Sequence, residues 1–194
     1  MSLAETTIGR CLEQRAGLTP GKKGVSDRAC CYSWEQVWHI SRALAVRYLK
    51  LGIRRGTHAA IWSLNSPQYL FCWLALELIG AVPVLVNASY KDKELADVLE
   101  DSDAEYLFYG SHQGDLHFQP VLDRLDLKRL PKLQKKLLLE PICPAEFEKG
   151  PEKEELDLLR EAAAGPAPPF PGLFQIPPDR SVPAAAFSAA SAAF

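Results

Sequence analysis

The sequence has no glycine-rich loop of the Gly-Lys-Ser/Thr type and no Ser-Gly or Thr-Thr-Gly run. A chain without such a loop lacks the usual backbone cradle for nucleotide phosphates. It has no surplus of either charge, since 22 Lys and Arg stand against 24 Asp and Glu. Phosphate-backbone binding rests on a basic surplus, so no nucleic-acid partner is expected. Cysteine is sparse and odd in number: Cys11, Cys30, Cys31, Cys72 and Cys143, with no C-x-x-C spacing. That pattern argues against a disulfide framework or a zinc site and reads as reduced, partly buried thiols. The first residues show neither a basic leader nor an apolar stretch behind it, so the expected location is cytoplasmic. One run, Tyr69 to Val86, is long enough to raise the question of a membrane span. Glu77 within it, the helix stop at Gly80 and the helix breaker Pro83 argue against one.

What is present alternates between helix and strand periods. Ile8, Leu12 and Ala16 fall four apart, one face of a short helix that Gly17 can end. Extended pieces around Val25 and "ACCYS", separated by "SDR", read as a hairpin. Ser33 followed by Gln36 makes a capping box, and Trp34, Val37, Ser41, Leu44, Ala45 and Tyr48 then share a helix face that closes at Gly52. "HAAIWSL" and "AVPVLVN" read as strands buried on both faces. Between them, "NSP" starts a helix by a serine or asparagine cap with Pro67 in the first turn. "KDKELADVLEDS" follows as a charged helix and "AEYLFYG" as a third strand. The expected architecture is α/β, a mostly parallel sheet with flanking helices.

Beyond Leu116 the periodicity weakens to a helix, a break at Pro131 and a strand at 136–140. We expect residues 1–140 to form one α/β subdomain. Residues 141–194 read as a charged run followed by a tail in which alanine and proline fill 18 of the last 33 positions. Such a composition offsets little chain entropy, so this segment is expected to be unfolded in isolation.

Chemistry-bearing residues are numerous, but each has a plainer role. His39 on a helix and His58 at a strand start read as packing or surface residues. His112 and His117, with Asp115 between them, lack the i, i+4 spacing of a helical zinc pair. Ser63, Ser66, Ser89 and Ser102 have no glycine elbow and read as caps or turns. Asp97, Glu100, Asp101, Asp103 and Glu105 read as a solvated helix end. Trp62, Tyr69, Phe71 and Trp73 fit a core better than an acyl channel. Lys128, Arg129, Lys132, Lys135 and Lys136 form a short basic stretch suited to an acidic surface.

The blocks "YSW", "LGIRRGTHAAIW", "NSPQYL", "IGAVPVLVN" and "YKDKELADVLEDS", in this order, resemble the N-terminal part of the adenylate-forming, AMP-binding superfamily of acyl-CoA synthetases. The resemblance spans residues 6–140, and "VNASYKDKELADVL" is most similar to the medium- and long-chain fatty acyl-CoA synthetases. It implies the incomplete N-terminal subdomain of a ligase. In such a ligase a fatty acid attacks ATP to give an acyl-adenylate, magnesium neutralises the phosphates, and CoA displaces AMP. The family's phosphate loop, similar to "YTSGTTG-PKG", is not found; "PPDRSV" resembles its approach, and Ala184 to Phe194 stand where the loop is expected. No catalytic, cofactor-binding or metal-binding residue is therefore assigned. The expectation is a truncated or variant chain, inactive alone, with ATP, magnesium and CoA belonging to a full-length relative. The alternative is a non-catalytic binding or regulatory module whose uncovered sheet docks on a protein partner. A small complete α/β enzyme of another class is the more distant reading.

Overall fold

The computed structural model describes residues 7–27, 30–111, 116–143 and 150–164. Six helices and six strands are found among them: α1 Ile8–Leu18, β1 Lys23–Ser26, β2 Cys31–Ser33, α2 Trp34–Lys50, β3 His58–Trp62, α3 Pro67–Ile79, β4 Val82–Val86, α4 Asp92–Asp101, β5 Tyr106–Gly110, α5 Gln119–Asp123, β6 Lys135–Leu139 and α6 Lys153–Ala164. Local chemistry sets most of the boundaries. The Ser33 hydroxyl accepts from the Gln36 amide while the Gln36 side chain accepts from the Ser33 amide, so the capping box that opens α2 satisfies two otherwise orphaned donors. The Ser66 hydroxyl caps α3 by accepting from the Tyr69 amide, with Pro67 in the first turn. Gly80 ends α3 at φ +70°, a left-handed conformation that costs an L side chain energy.

β1 and β2 form an antiparallel hairpin, and β4-β3-β5-β6 form a four-stranded parallel sheet in that order. The chain steps from β3 outward to β4, then crosses back over β3 to β5. Right-handed crossovers in opposite directions must lie on opposite faces of the sheet. The core divides accordingly. Ala59 and Ile61 of β3, with Tyr106 and Phe108 of β5, pack with α1, α2 and α3. Ala60 and Trp62 of β3, with Leu107 of β5, pack with α4 and α5. The strict alternation is the period of two along a strand, and two covered faces explain the continuous apolar runs. Burying each large apolar side chain is worth about 1.5–3 kcal/mol. The exposed ion pairs are worth about 0–1 kcal/mol each, so packing decides the fold.

Three expectations need correction. β4 is not buried on both faces: it is a sheet edge, with Leu85 59% exposed. Pro83 suits that place, since it has no N–H to give a neighbouring strand. The segment after residue 140 does not leave the core at once. The Tyr32 hydroxyl donates to the Ile142 carbonyl at 2.9 Å, and Ile142 packs against the first core. Residues 153–164 of the charged run are a helix, and Leu159 and Ala162, one turn apart, lie against the same core. Lys50 anchors that helix through Glu155 at 2.7 Å. Residues 165–194, with the rest of the expected tail, lie outside the described residues.

The apolar run 69–86 divides into α3, Gly80 and β4, and no helix among the described residues is long and apolar enough to cross a membrane. Glu77 is half-buried on α3, and burial pushes its carboxyl above the ordinary value.

Candidate functional site

In an open parallel sheet, ligands bind outside the carboxyl ends of the strands, where the chain reverses its direction of progress. Here that point lies between β3 and β5. Ser63, the residue after β3, and Gly110, the last of β5, meet there. A β-carbon placed on Gly110 would lie 2.4 Å from the Ser63 hydroxyl oxygen and 3.1 Å from its Cβ. The glycine is held by lack of space, because its backbone is not in the left-handed region. Ser63 is buried and donates to the Leu64 carbonyl at 3.1 Å.

Beside this contact is a cavity of about 230 Å³ lined by Tyr109, Gly110, Ser111, His117, Phe118 and Leu138, among others. Phe118 closes its floor by packing edge-on against Trp62, ring centres 4.7 Å apart and planes at 87°. Trp62 is 1% exposed, and its indole N–H has no hydrogen-bond partner among the described residues. A wider groove of about 440 Å³ runs between α2 and the edge strand β6, past Leu44, Arg47, Tyr48, Gln68 and Leu137.

The structure scatters the other candidates. His58 sits at the opposite end of the sheet, where its Nδ1 lies 2.5 Å from the Ser102 carbonyl and ties the end of α4 to β3. His39 lies beneath Gly150 on the outer side of α2. His117 lines the small cavity; His112 and Asp115 fall outside the described residues, so the pairing considered for His112 and His117 is not placed. Ser66 and Ser102 act at helix ends, and the Ser89 amide donates to the Asn87 side chain in the turn after β4. Gly56 and Thr57, a Gly-Thr pair, form the turn into β3, again away from the strand carboxyl ends.

The acidic and basic clusters, weighed separately in the sequence, face each other. Arg129 reaches Asp97 at 2.8 Å and also pairs with Glu100, and Lys132 reaches Asp103 at 2.8 Å. Glu105 accepts from the Gln134 side chain at 3.0 Å. The four aromatics do not line one channel: Trp62 belongs to the second core, while Phe71 meets Tyr32 edge-on at 5.0 Å in the first. Cys72 is fully buried, and burial pushes its thiol to about 12, so it is not a nucleophile at neutral pH.

No group of three or more His, Cys, Asp or Glu residues is gathered to hold a metal among the described residues. At the strand ends Ser63 fills the space beside Gly110 that a side chain would need. Neither ATP nor magnesium is assigned to these residues.

A family model described as AMP-binding enzyme matches residues 12–183. The chain belongs to the AMP-binding enzyme family. The family match continues past residue 140, to residue 183. YngI of Bacillus subtilis, named as a candidate acyl-CoA synthetase, is 34% identical over 134 residues, covering 68% of this chain and 24% of that protein. The 2-succinylbenzoate–CoA ligase of Oceanobacillus iheyensis is 33% identical over 129 residues, covering 66% and 26%. The chain thus spans about a quarter of the length of these relatives. Among solved structures, the N-terminal domain of FACL13 from Mycobacterium tuberculosis superposes with a TM-score of 0.62 at 22% identity, over 86% of this chain and 38% of that one. The anthranilate CoA ligase AuaEII gives 0.63 at 19% identity, over 83% and 30%. Both carry the same α/β fold, a parallel sheet flanked by helices.

Proposed function

We propose that this chain is the scaffold portion of an ATP-dependent acid–thiol ligase and does not itself activate an acid. In the complete reaction a carboxylate attacks the α-phosphate of ATP, pyrophosphate leaves, and CoA then displaces AMP from the acyl-adenylate. The observation that carries the reading is the family match over 12–183 combined with the closed Ser63–Gly110 contact at the switch point. The first supports membership of a ligase family. The second fills the space beside Gly110 at the expected ligand position. The acid is taken to be a fatty acid on the resemblance of "VNASYKDKELADVL".

ATP–pyrophosphate exchange tests this directly, with the purified 194-residue chain, magnesium and a panel of fatty acids, 2-succinylbenzoate and crotonobetaine. The expected result is no exchange above a protein-free control with any acid. Acid-dependent exchange would overturn the reading.

The two sheet edges favour a second reading, a non-catalytic module that docks on a protein. Leu85 on β4 and Leu138 on β6 are 59% and 45% exposed on strands that, among the described residues, each pair on one side only. Unpaired edges carrying apolar residues attract further strands. The chain is then expected to self-associate with rising concentration in light scattering, and L85K with L138K to return it to a monomer. A monodisperse wild-type monomer at all concentrations removes this reading.

A further inference from the structure

β4 and β6 close the sheet on its two sides, and they differ in what they offer a further strand. The Val82 amide donates to the Thr57 carbonyl at 2.8 Å, so Val82, Val84 and Val86 turn their backbone polar groups toward β3. Pro83 and Leu85 are left on the outer side, and Pro83 has no N–H. Within β4, Leu85 alone offers an outward amide. In a parallel ladder, one of two opposite residues turns its backbone groups toward the other strand and its opposite turns them away. Carried from Ala59 opposite Tyr106 to Tyr106 opposite Lys135, this alternation turns Lys135, Leu137 and Leu139 toward β5 and leaves Lys136 and Leu138 facing outward, with Glu140 next in the row. Each of these three offers both an amide and a carbonyl. A groove of about 440 Å³ separates α2 from this strand, which among the described residues pairs only with β5. Lys136, Leu138 and Glu140 are all exposed, and neither charge belongs to an ion pair among the described residues. Their order, a cation, a leucine and an anion, is complementary to itself when the strand is reversed.

We propose that a second copy of this chain docks antiparallel along β6 and joins the two sheets into one, with Leu138 meeting Leu138 of the second copy on a two-fold axis. Lys136 then stands opposite Glu140 of the second copy, and Glu140 opposite its Lys136, one pair on each side of the axis. Lys136, Leu138 and Glu140 take the hydrogen-bonded positions, so each amide meets a carbonyl of the other copy. Pro141 falls at a position without ladder bonds, where its missing N–H costs nothing. Sliding one copy by two residues sets Lys136 against Leu138 or against Ile142 and parts both charge pairs. Sliding by one turns the outward amides away from each other. Opposite charges across a strand pair favour the first register over these. The proposal rests on the second reading above, docking through a sheet edge, and gives it an edge and a partner.

Sedimentation equilibrium of the 194-residue chain in low salt is the test. Wild type is expected to show a monomer–dimer equilibrium. K136E opposes two carboxylates and E140K two ammonium groups, at two places in each dimer, so each is expected to raise the dissociation constant about tenfold or more. The double variant, K136E with E140K, exchanges the signs, remakes both pairs and is expected to recover the wild-type value; that recovery separates a broken interface from a damaged fold. L85K, on the far edge, is expected to change nothing. A monomer at every concentration overturns the proposal together with the reading it rests on. Self-association that K136E and E140K leave unchanged, or that the double variant fails to restore, overturns the β6 pairing and leaves that reading standing.

Discussion

Replacing Trp62 with alanine is expected to remove about 3–5 kcal/mol of stability, a large part of the roughly 5–15 kcal/mol that holds a small domain folded. Trp62 ends β3, an inner strand of the sheet, and its indole fills the space between the sheet and Phe118 in the second core. Alanine leaves a cavity on a wall made by Leu95, Leu107 and Phe118, and backbone hydrogen bonds of β3 to both β4 and β5 prevent the site from collapsing. Phenylalanine should behave quite differently. The indole N–H is buried with no partner among the described residues, and an unsatisfied buried donor costs about 1–3 kcal/mol. W62F removes that donor and keeps a ring against Phe118, so the loss of contact area is offset and the net change should stay within about 1.5 kcal/mol. Urea denaturation midpoints of wild type, W62A and W62F read both values. If W62F falls as far as W62A, the N–H has a partner and this account of the site is mistaken.

The features that sequence reading reached are those written within a few residues. Ser33 and Gln36 make their capping box across three positions, and Ser66 with Pro67 starts α3, so both helix starts were legible. The apolar run of β3 identified an inner strand because both faces of the sheet are covered, while β5 was legible only as a strand. The same reasoning misplaced β4. "VPVLV" is as apolar as an inner strand, and edge position depends on which strand lies beside it; Pro83 was the available signal, since it cannot donate to a neighbour. The helix α6 was missed because composition outweighed the one-turn spacing of Leu159 and Ala162, whose docking surface on α2 and α3 is remote in sequence. The opposition of Arg129 to Asp97 and Glu100 was hidden for the same reason. At the candidate site Ser63 was weighed as a nucleophile and set aside, while Gly110 passed as the end of a strand. Their contact follows only from knowing that β5 lies beside β3.

That contact should be detectable as energy. In G110A the new methyl would lie 2.4 Å from the Ser63 oxygen, 3.1 Å from its Cβ and 3.2 Å from Phe118. None of these neighbours can swing away: Ser63 is buried and bonded to the Leu64 carbonyl, and Phe118 is pinned against Trp62. Overpacking of this kind costs about 1–3 kcal/mol. S63G by itself should cost about 0.5–1 kcal/mol, the ordinary effect of an added glycine in extended chain. In the double variant the alanine methyl occupies the space the serine side chain has left. The double variant should therefore be more stable than the sum of the two single losses by about 1–2 kcal/mol, within the usual range for residues in contact. Additivity to within about 0.5 kcal/mol would mean that the two strand ends do not touch. The same cycle bears on function, because S63G opens the space beside Gly110 at the carboxyl ends of the strands, where a ligand is expected. If wild type shows no ATP-dependent rise in melting temperature and S63G does, Ser63 is what closes the switch point to a nucleotide; if S63G shows none, another cause keeps a nucleotide out.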